Sequence, residues 1–123
     1  GRNGPAYVER PKLKPEDAVR LLVDVGGLPV VAHPADMPDM DHTLERLIAV
    51  GLVGMEVHYA EYSPQVREHL AETAQRHGLL PCGGSDYHAN GTPAESRPGD
   101  LGPPLEVANE LERLARERCK SNI

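Results

Sequence analysis

Apolar positions recur along the chain with two periods. Ala18, Leu21, Leu22 and Val25 fall at helical spacing and predict a helix that starts at Pro15, suited to a first turn, and stops at Gly26-Gly27. The preceding "GRNGPAYVERPKLK" is polar and rich in Gly and Pro, and reads as a loop entering the domain. "LPVVAH" is continuously apolar up to His33 and predicts a short buried strand. Beyond the loop "ADMPDMD", Asp39 or Asp41 is placed to cap a helix that carries Leu44, Leu47 and Ile48 and stops at Gly51. "LVGMEVHY" predicts a second strand, and Ser63-Pro64 then forms an N-cap with proline at the first helical position. Val66, Leu70 and Ala74 line one face of that helix, which ends at Gly78 after His77. "LLPCGG" is the third strand and runs straight into Ser85-Asp86-Tyr87-His88. A long loop from Ala89 to Pro104 leads to a last helix carrying Leu105, Ala108, Leu111, Leu114 and Ala115.

Helix and apolar strand alternating about every 25 residues is the pattern of parallel βα units, so the fold class is α/β. Three clear strands do not close a (βα) barrel, which takes about 250 residues. With 123 residues there is room for one compact unit. The only aromatic residues are four Tyr, with no Phe or Trp, so the core must be aliphatic.

Charge narrows the function classes. The formal net charge is −6, from 13 basic and 19 acidic residues. That argues against gripping long nucleic acid by backbone charge, though bound divalent ions would reverse the field locally for a phosphorylated substrate. Cys82 and Cys119 have no framework spacing, which points to a reducing compartment. No long apolar segment or signal peptide is legible, so a soluble, cytoplasmic protein is expected, with no membrane partner.

In parallel βα folds the chemistry sits at the C-terminal ends of the strands. His33 ends the first strand, Glu56 and His58 the second, and Asp86 with His88 follows the third. Asp86-x-His88 offers an N/O donor pair suited to Zn²⁺, Mn²⁺ or Fe, after a Gly83-Gly84 that permits close backbone approach. The plainer reading is an Asp capping its own turn beside a surface His. His33 is either a ligand or a strand-end His bonded to a neighbouring carbonyl. Glu56 and His58 share a face if the strand stays regular, where they orient ligands, meet substrate or pack as satisfied polar groups. Arg2, Arg46, Arg67, Arg76 and Arg97 are candidates for phosphate, and Arg97 alone has a positional argument, in the loop beside Asp86 and His88. Tyr62 and Tyr87 offer rings for stacking a base. Cys82 is read as core, and His42, His69 and His77 as ordinary helix residues.

The motifs "VVAHPADM", "GLVGMEVHYAEYSP" and "RHGLLPCGGSDYHAN", with the closing "LG" of the long loop, resemble the second half of bacterial PHP-domain metal-dependent phosphoesterases. The nearest group is that of nucleotide phosphatases and short-RNA 5′–3′ exonucleases. The resemblance covers nearly the whole chain and implies the C-terminal part, three to four βα units, of a distorted (βα)7 TIM-like barrel. It implies His33, Asp86 and His88 as metal ligands, Glu56 near the pocket, and two to three divalent ions, Mn²⁺, Zn²⁺ or Fe²⁺, in the parent protein. Tyr62 stands where many relatives carry a His, and the loop after "AHP" lacks the Arg that some of them have.

The implied activity is hydrolysis of phosphate esters of nucleotides or short oligonucleotides by a metal-activated water, with Glu56 and His58 close to the reaction and Arg97, Tyr62 and Tyr87 on the substrate. The family's N-terminal H-x-H and other early ligands do not precede Gly1, so residues 1–123 are expected to be a partial domain. Alone, that chain is expected to be inactive and prone to dimerise or swap through its open edges. The alternatives are a non-catalytic structural or regulatory PHP module, a histidinol-phosphatase-like enzyme, and an amidohydrolase-like enzyme acting on a C–N bond. An intact ligand set upstream in the parent gene separates enzyme from module.

Overall fold

The computed structural model describes residues 4–121, so Arg2 lies outside the described residues. The element order is the expected alternation: α1 (Pro15–Asp24), β1 (Val30–Val31), a 3-10 turn (Pro34–Asp36), α2 (Met40–Ala49), β2 (Gly54–Tyr59), α3 (Pro64–His77), β3 (Leu80–Gly84) and α4 (Leu105–Ser121). The strands form one parallel sheet in the order β1-β2-β3. This is an α/β arrangement with flanking helices, consistent with part of a distorted barrel and open at both edges among the described residues.

The core lies between the sheet and α2 and α3. Leu44 and Leu47 from α2, Met55 and Val57 from β2, Leu70 and Ala74 from α3, and Leu52, Leu79 and Val19 form one buried cluster, aliphatic as the composition requires. Met55 and Val57, two apart on β2, present one face of the sheet to the helices. The other face carries Val30, Gly54 and Cys82, and a Cβ on Gly54 would sit 3.0 Å from the Cys82 sulfur. Burial pushes the Cys82 thiol pKa up, as befits a packed cysteine.

The local stop and start signals of α3 are realised in full. Ser63 Oγ accepts the Val66 N–H at 3.2 Å, Pro64 opens the helix, and Gly78 closes it at φ 69°, with Leu79 N–H bonded back to the Ala74 carbonyl at 2.8 Å. By contrast β1 keeps only Val30–Val31 of its expected length. His33 turns into the left-handed region at φ 50° and Pro34 starts the 3-10 turn, which ends strand pairing early.

One helix buries a different stripe from the one the sequence suggested, and the last buries only part of its apolar set. In α1, Val19 is buried and Val23 packs on the core, while Leu21, Leu22 and Val25 are 57%, 46% and 74% exposed. The helix is apolar on more than one side, and α2, its neighbour, selects the Val19–Val23 side. In α4, Val107 is buried, Leu111, Leu114 and Ala115 are half-buried, and Leu105 and Ala108 are exposed. Only β3 offers α4 a docking surface of any extent among the strands, and the Arg118 guanidinium adds a bond to the Gly27 carbonyl. No helix among the described residues is long and apolar enough to cross a membrane.

His77, read as ordinary, has a specific partner. Asp41, in the first turn of α2, accepts from Arg76 Nη2 at 2.5 Å and from His77 Nε2 at 2.7 Å, tying the start of α2 to the end of α3. The His77 bond, and then the Arg76 bond, holds the Asp41 carboxyl below the ordinary aspartate range. A depressed folded-state pKa contributes stability above the unfolded pKa and loses it as the pH falls through the folded value. Asp41→Asn is therefore expected to lower the urea midpoint at pH 6, with the gap to wild type closing on acidification through and below the ordinary aspartate range. A gap independent of pH would show that the charge on Asp41 is immaterial.

Candidate metal and phosphate site

His33 lies just past β1, with its backbone N–H donating to Glu56 Oε1 at 3.1 Å and its ring Nδ1 3.9 Å from the same oxygen. Glu56 is largely buried and His33 half-exposed, so the carboxylate anchors the His while the ring stays accessible. The edge-on contact of His33 with Tyr59, centroids 5.2 Å apart, fixes the ring from a second side.

This convergence depends on an irregularity in β2. Glu56 pairs with Cys82 and His58 with Gly83, so Val57 is skipped in the register. Such a bulge re-aims the side chains that follow it. Glu56 and Tyr59 come together at His33, whereas His58 lies in the field of Arg67 on α3, its pKa lowered by burial first and by that guanidinium second. The expectation that Glu56 and His58 share a face required a regular strand, and the bulge removes that condition. Gly83 makes the bulge possible, since a Cβ there would overlap the His58 carbonyl.

Beyond β3 the backbone turns left-handed again, at Asp86 (φ 52°) and Ala89 (φ 56°). With His33, three non-glycine residues at the strand ends adopt a conformation that costs of order 1 kcal/mol or more each. His88 Nδ1 donates to the Asp86 carbonyl at 2.6 Å and lies 3.9 Å from Asp86 Oδ1. A carbonyl can only accept, so Nδ1 carries a proton, and when the ring is neutral the lone pair is on Nε2, the nitrogen left for a metal. The Asp86 carbonyl, then the Asp86 carboxylate, raises the His88 pKa.

Glu95 holds this turn from the far side of the loop. Its Oε2 accepts the His88 N–H at 3.0 Å and its Oε1 the Asn90 N–H at 2.9 Å. Glu95→Ala is expected to speed amide exchange at His88 and Asn90 about tenfold, the loss of one charge-assisted bond at each amide. Unchanged exchange at both would mean that the loop holds its shape without Glu95.

A hollow of about 560 Å³ opens between the ends of β2 and β3, lined by Tyr59, Glu61, Ser85, Asp86, His88 and Glu95 among others. A larger one, about 820 Å³, lies along residues 4–12 and holds none of these groups. The Tyr59 phenol is pushed up to about 12, by Glu61 first and then by burial, with Asp86 and Glu56 adding to it. A neutral Tyr among three carboxylates makes this hollow acidic and suits it to a cation. The donors, imidazole and carboxylate, are of the type borderline divalent metals prefer. They come as two pairs, His33 with Glu56 and Asp86 with His88, and among the described residues no group of three His, Cys, Asp or Glu side chains is close enough to hold an ion. The donor types fit a metal centre; their number does not complete one.

The other candidates separate. Tyr87 and Arg97 line one adjoining hollow. Tyr62 packs against the core with its ring edge-on to Tyr59 at 5.0 Å and its hydroxyl buried without a hydrogen-bond partner. Burial raises the pKa of its phenol. Arg46 and Arg76 are engaged by Glu16 and Asp41. Sequence reasoning missed Tyr59, Glu61 and Glu95; the first two adjoin the "EVH" motif, and Glu95 carries no motif signal.

Known proteins resemble this chain in sequence and in shape. No family model matches it. Over 92 residues it is 44% identical to the 3′,5′-nucleoside bisphosphate phosphatase of Chromobacterium violaceum, covering 71% of this chain and 32% of that protein. Over 72 residues it is 42% identical to the phosphoribosyl 1,2-cyclic phosphate 1,2-diphosphodiesterase of Eggerthella lenta, covering 58% of this chain and 27% of that protein. A crystal structure from Bifidobacterium adolescentis, described as that of a metal-dependent phosphoesterase, superimposes with a TM-score of 0.75 at 29% identity, over 93% of this chain and 41% of that one. The chain is related to metal-dependent phosphoesterases and amidohydrolases. A structure described as an amidohydrolase from C. violaceum, with bound sulfate and no metal, supports the same relationship, with a TM-score of 0.67 at 32% identity over 93% of this chain and 42% of that one. The chain thus spans between a quarter and a third of the length of the curated relatives and about two-fifths of the solved ones.

Proposed function

We propose that residues 1–123 are the C-terminal part of a PHP domain, a distorted (βα)7 barrel, and that the protein carrying them hydrolyses phosphate esters of nucleotides or short oligonucleotides. The observation that supports this best is the acidic hollow at the ends of β2 and β3, with Asp86 and an exposed His88 on its wall. His33, Asp86 and His88 are the ligands this chain contributes to a centre of two to three divalent ions, Mn²⁺, Zn²⁺ or Fe²⁺. When bound, such ions supply the Lewis acidity that lets a phosphate ester be cut near neutral pH. The chain's own groups do the positioning: Glu56 holds the backbone of His33 and Tyr59 flanks its ring, Glu95 holds the backbone of His88, and the Asp86 carbonyl sets its tautomer. With two donor pairs alone, the isolated chain turns over little.

The test is phosphate release from a panel of nucleotides by the full-length protein, before and after chelation and with Mn²⁺ restored. Loss on chelation and recovery with metal support the reading; release that survives chelation overturns it. The structure described as an amidohydrolase favours a second reading, cleavage of a C–N bond. Amine release from amide or imine substrates, without phosphate release, would select it.

A further inference from the structure

The sequence holds two Asn-Gly pairs, Asn3-Gly4 and Asn90-Gly91. Asn3 lies outside the described residues. Asn90 follows β3 and sits on the wall of the acidic hollow, two residues beyond His88. It is held at one point, where its backbone N–H donates to Glu95 Oε1 at 2.9 Å. Its side-chain amide and the Gly91 N–H have no hydrogen-bond partner among the described residues, and both residues are exposed and outside any helix or strand. Gly91 stands at φ 73°, with nothing within 4 Å of where a Cβ would be, so open space lies on that side of its backbone. An asparagine side chain can close onto the next backbone nitrogen when no side chain crowds that nitrogen and no hydrogen bond engages its N–H. Asn90-Gly91 meets both conditions.

We propose that Asn90-Gly91 is a self-modification site, and that its conversion to isoaspartate releases the hold of Glu95 on His88. In the first step base takes the Gly91 N–H proton, the nitrogen attacks Asn90 Cγ, and the bond from Cγ to the side-chain nitrogen breaks as ammonia leaves. Water then opens the resulting succinimide at either carbonyl, giving aspartate, or isoaspartate with the main chain running through Cβ and Cγ. Water is the only co-reactant, and no electrons are exchanged. Before the change Glu95 spans two amides, His88 at 3.0 Å and Asn90 at 2.9 Å, one on each oxygen. Isoaspartate adds a methylene to the main chain between residue 90 and Glu95, and it places a carboxylate on a residue bonded to Glu95. Extra length slackens the loop that brings Glu95 back, and like charges push the two carboxylates apart. Aspartate brings the charge without the length and loosens the turn less. The inference is independent of the reaction proposed above.

The test is a timed incubation of the purified full-length protein at physiological temperature and mildly alkaline pH, followed by peptide mass spectrometry, labelling by an isoaspartyl methyltransferase, and amide exchange. Residue 90 is expected to gain the mass of one deamidation and to accept the methyl label. Asn109, inside α4 where the following N–H is engaged by the helix, is expected to stay unchanged. The converted fraction, separated by its extra charge, is expected to exchange the His88 amide about tenfold faster than fresh protein, the loss of one charge-assisted bond. Asn90→Gln has a longer side chain that closes the ring far more slowly, and its His88 amide is expected to keep one exchange rate throughout the incubation. An unconverted residue 90 in a sample whose Asn3 has reacted overturns the proposal. Conversion with unchanged exchange at His88 overturns it too, as does the same acceleration in Asn90→Gln.

Discussion

Asp86→Ala in the full-length protein is expected to lower phosphate release by about a hundredfold or more and to weaken divalent-metal binding, with the circular dichroism spectrum unchanged. The size of the effect follows from where Asp86 sits. It leaves β3 in a left-handed turn, its carboxylate borders the acidic hollow, and its carbonyl sets the tautomer of His88. Truncation removes the carboxylate and leaves the carbonyl, so His88 stays oriented while the hollow loses charge. Asp86→Asn separates charge from shape: it keeps one accepting oxygen and should fall nearly as far if charge is what matters. Activity within threefold of wild type for both variants would remove Asp86 from the reaction.

The second large effect is structural. Gly83→Ala should lower stability by about 3 kcal/mol or more, a fall of over about 10 °C in the melting temperature of a domain this size. The new Cβ would overlap the His58 carbonyl, which is backbone and cannot swing aside. Relief requires β3 to move away from β2 at the bulge, and that loosens the junction that brings Tyr59 to His33. Thermal melts measure the loss, and a change under 2 °C would show that the strands part at no cost. Gly84, next in the chain, is the control: nothing lies within 4 Å of a Cβ placed there.

The contrast between these neighbours shows what the sequence could tell. "GGSDYH" marked glycines suited to a close approach to a ligand or a tight turn; in the structure the close approach is to the His58 carbonyl of β2, and which glycine makes it depends on a bulge in that strand. A period of two along "GMEVHY" is a local regularity, and nothing in those letters announces that Val57 will be skipped. The signals of α3 were legible because Ser63, Pro64 and Gly78 act on their own backbone. The buried side of α1 was not, because Leu21 and Val23 are equally apolar and the choice belongs to α2. Likewise Glu95 is one acidic residue among many until the loop folds back and brings two amides to its oxygens. That His33, Asp86 and His88 lie just past the strands was readable from the sequence; the approach of Glu56 and Tyr59 to His33, with His58 turned away, was not.

The left-handed backbone at His33, Asp86 and Ala89 has a consequence for anyone engineering this molecule. A search for thermostable variants would be drawn to these three positions, since glycine relieves the steric penalty there and, among the described residues, only Asp39 is a further non-glycine residue at positive φ. At Ala89 such a change is cheap chemically. At His33 and Asp86 it would delete two of the proposed metal ligands, so on that proposal selection for heat resistance and selection for chemistry pull the same two codons in opposite directions.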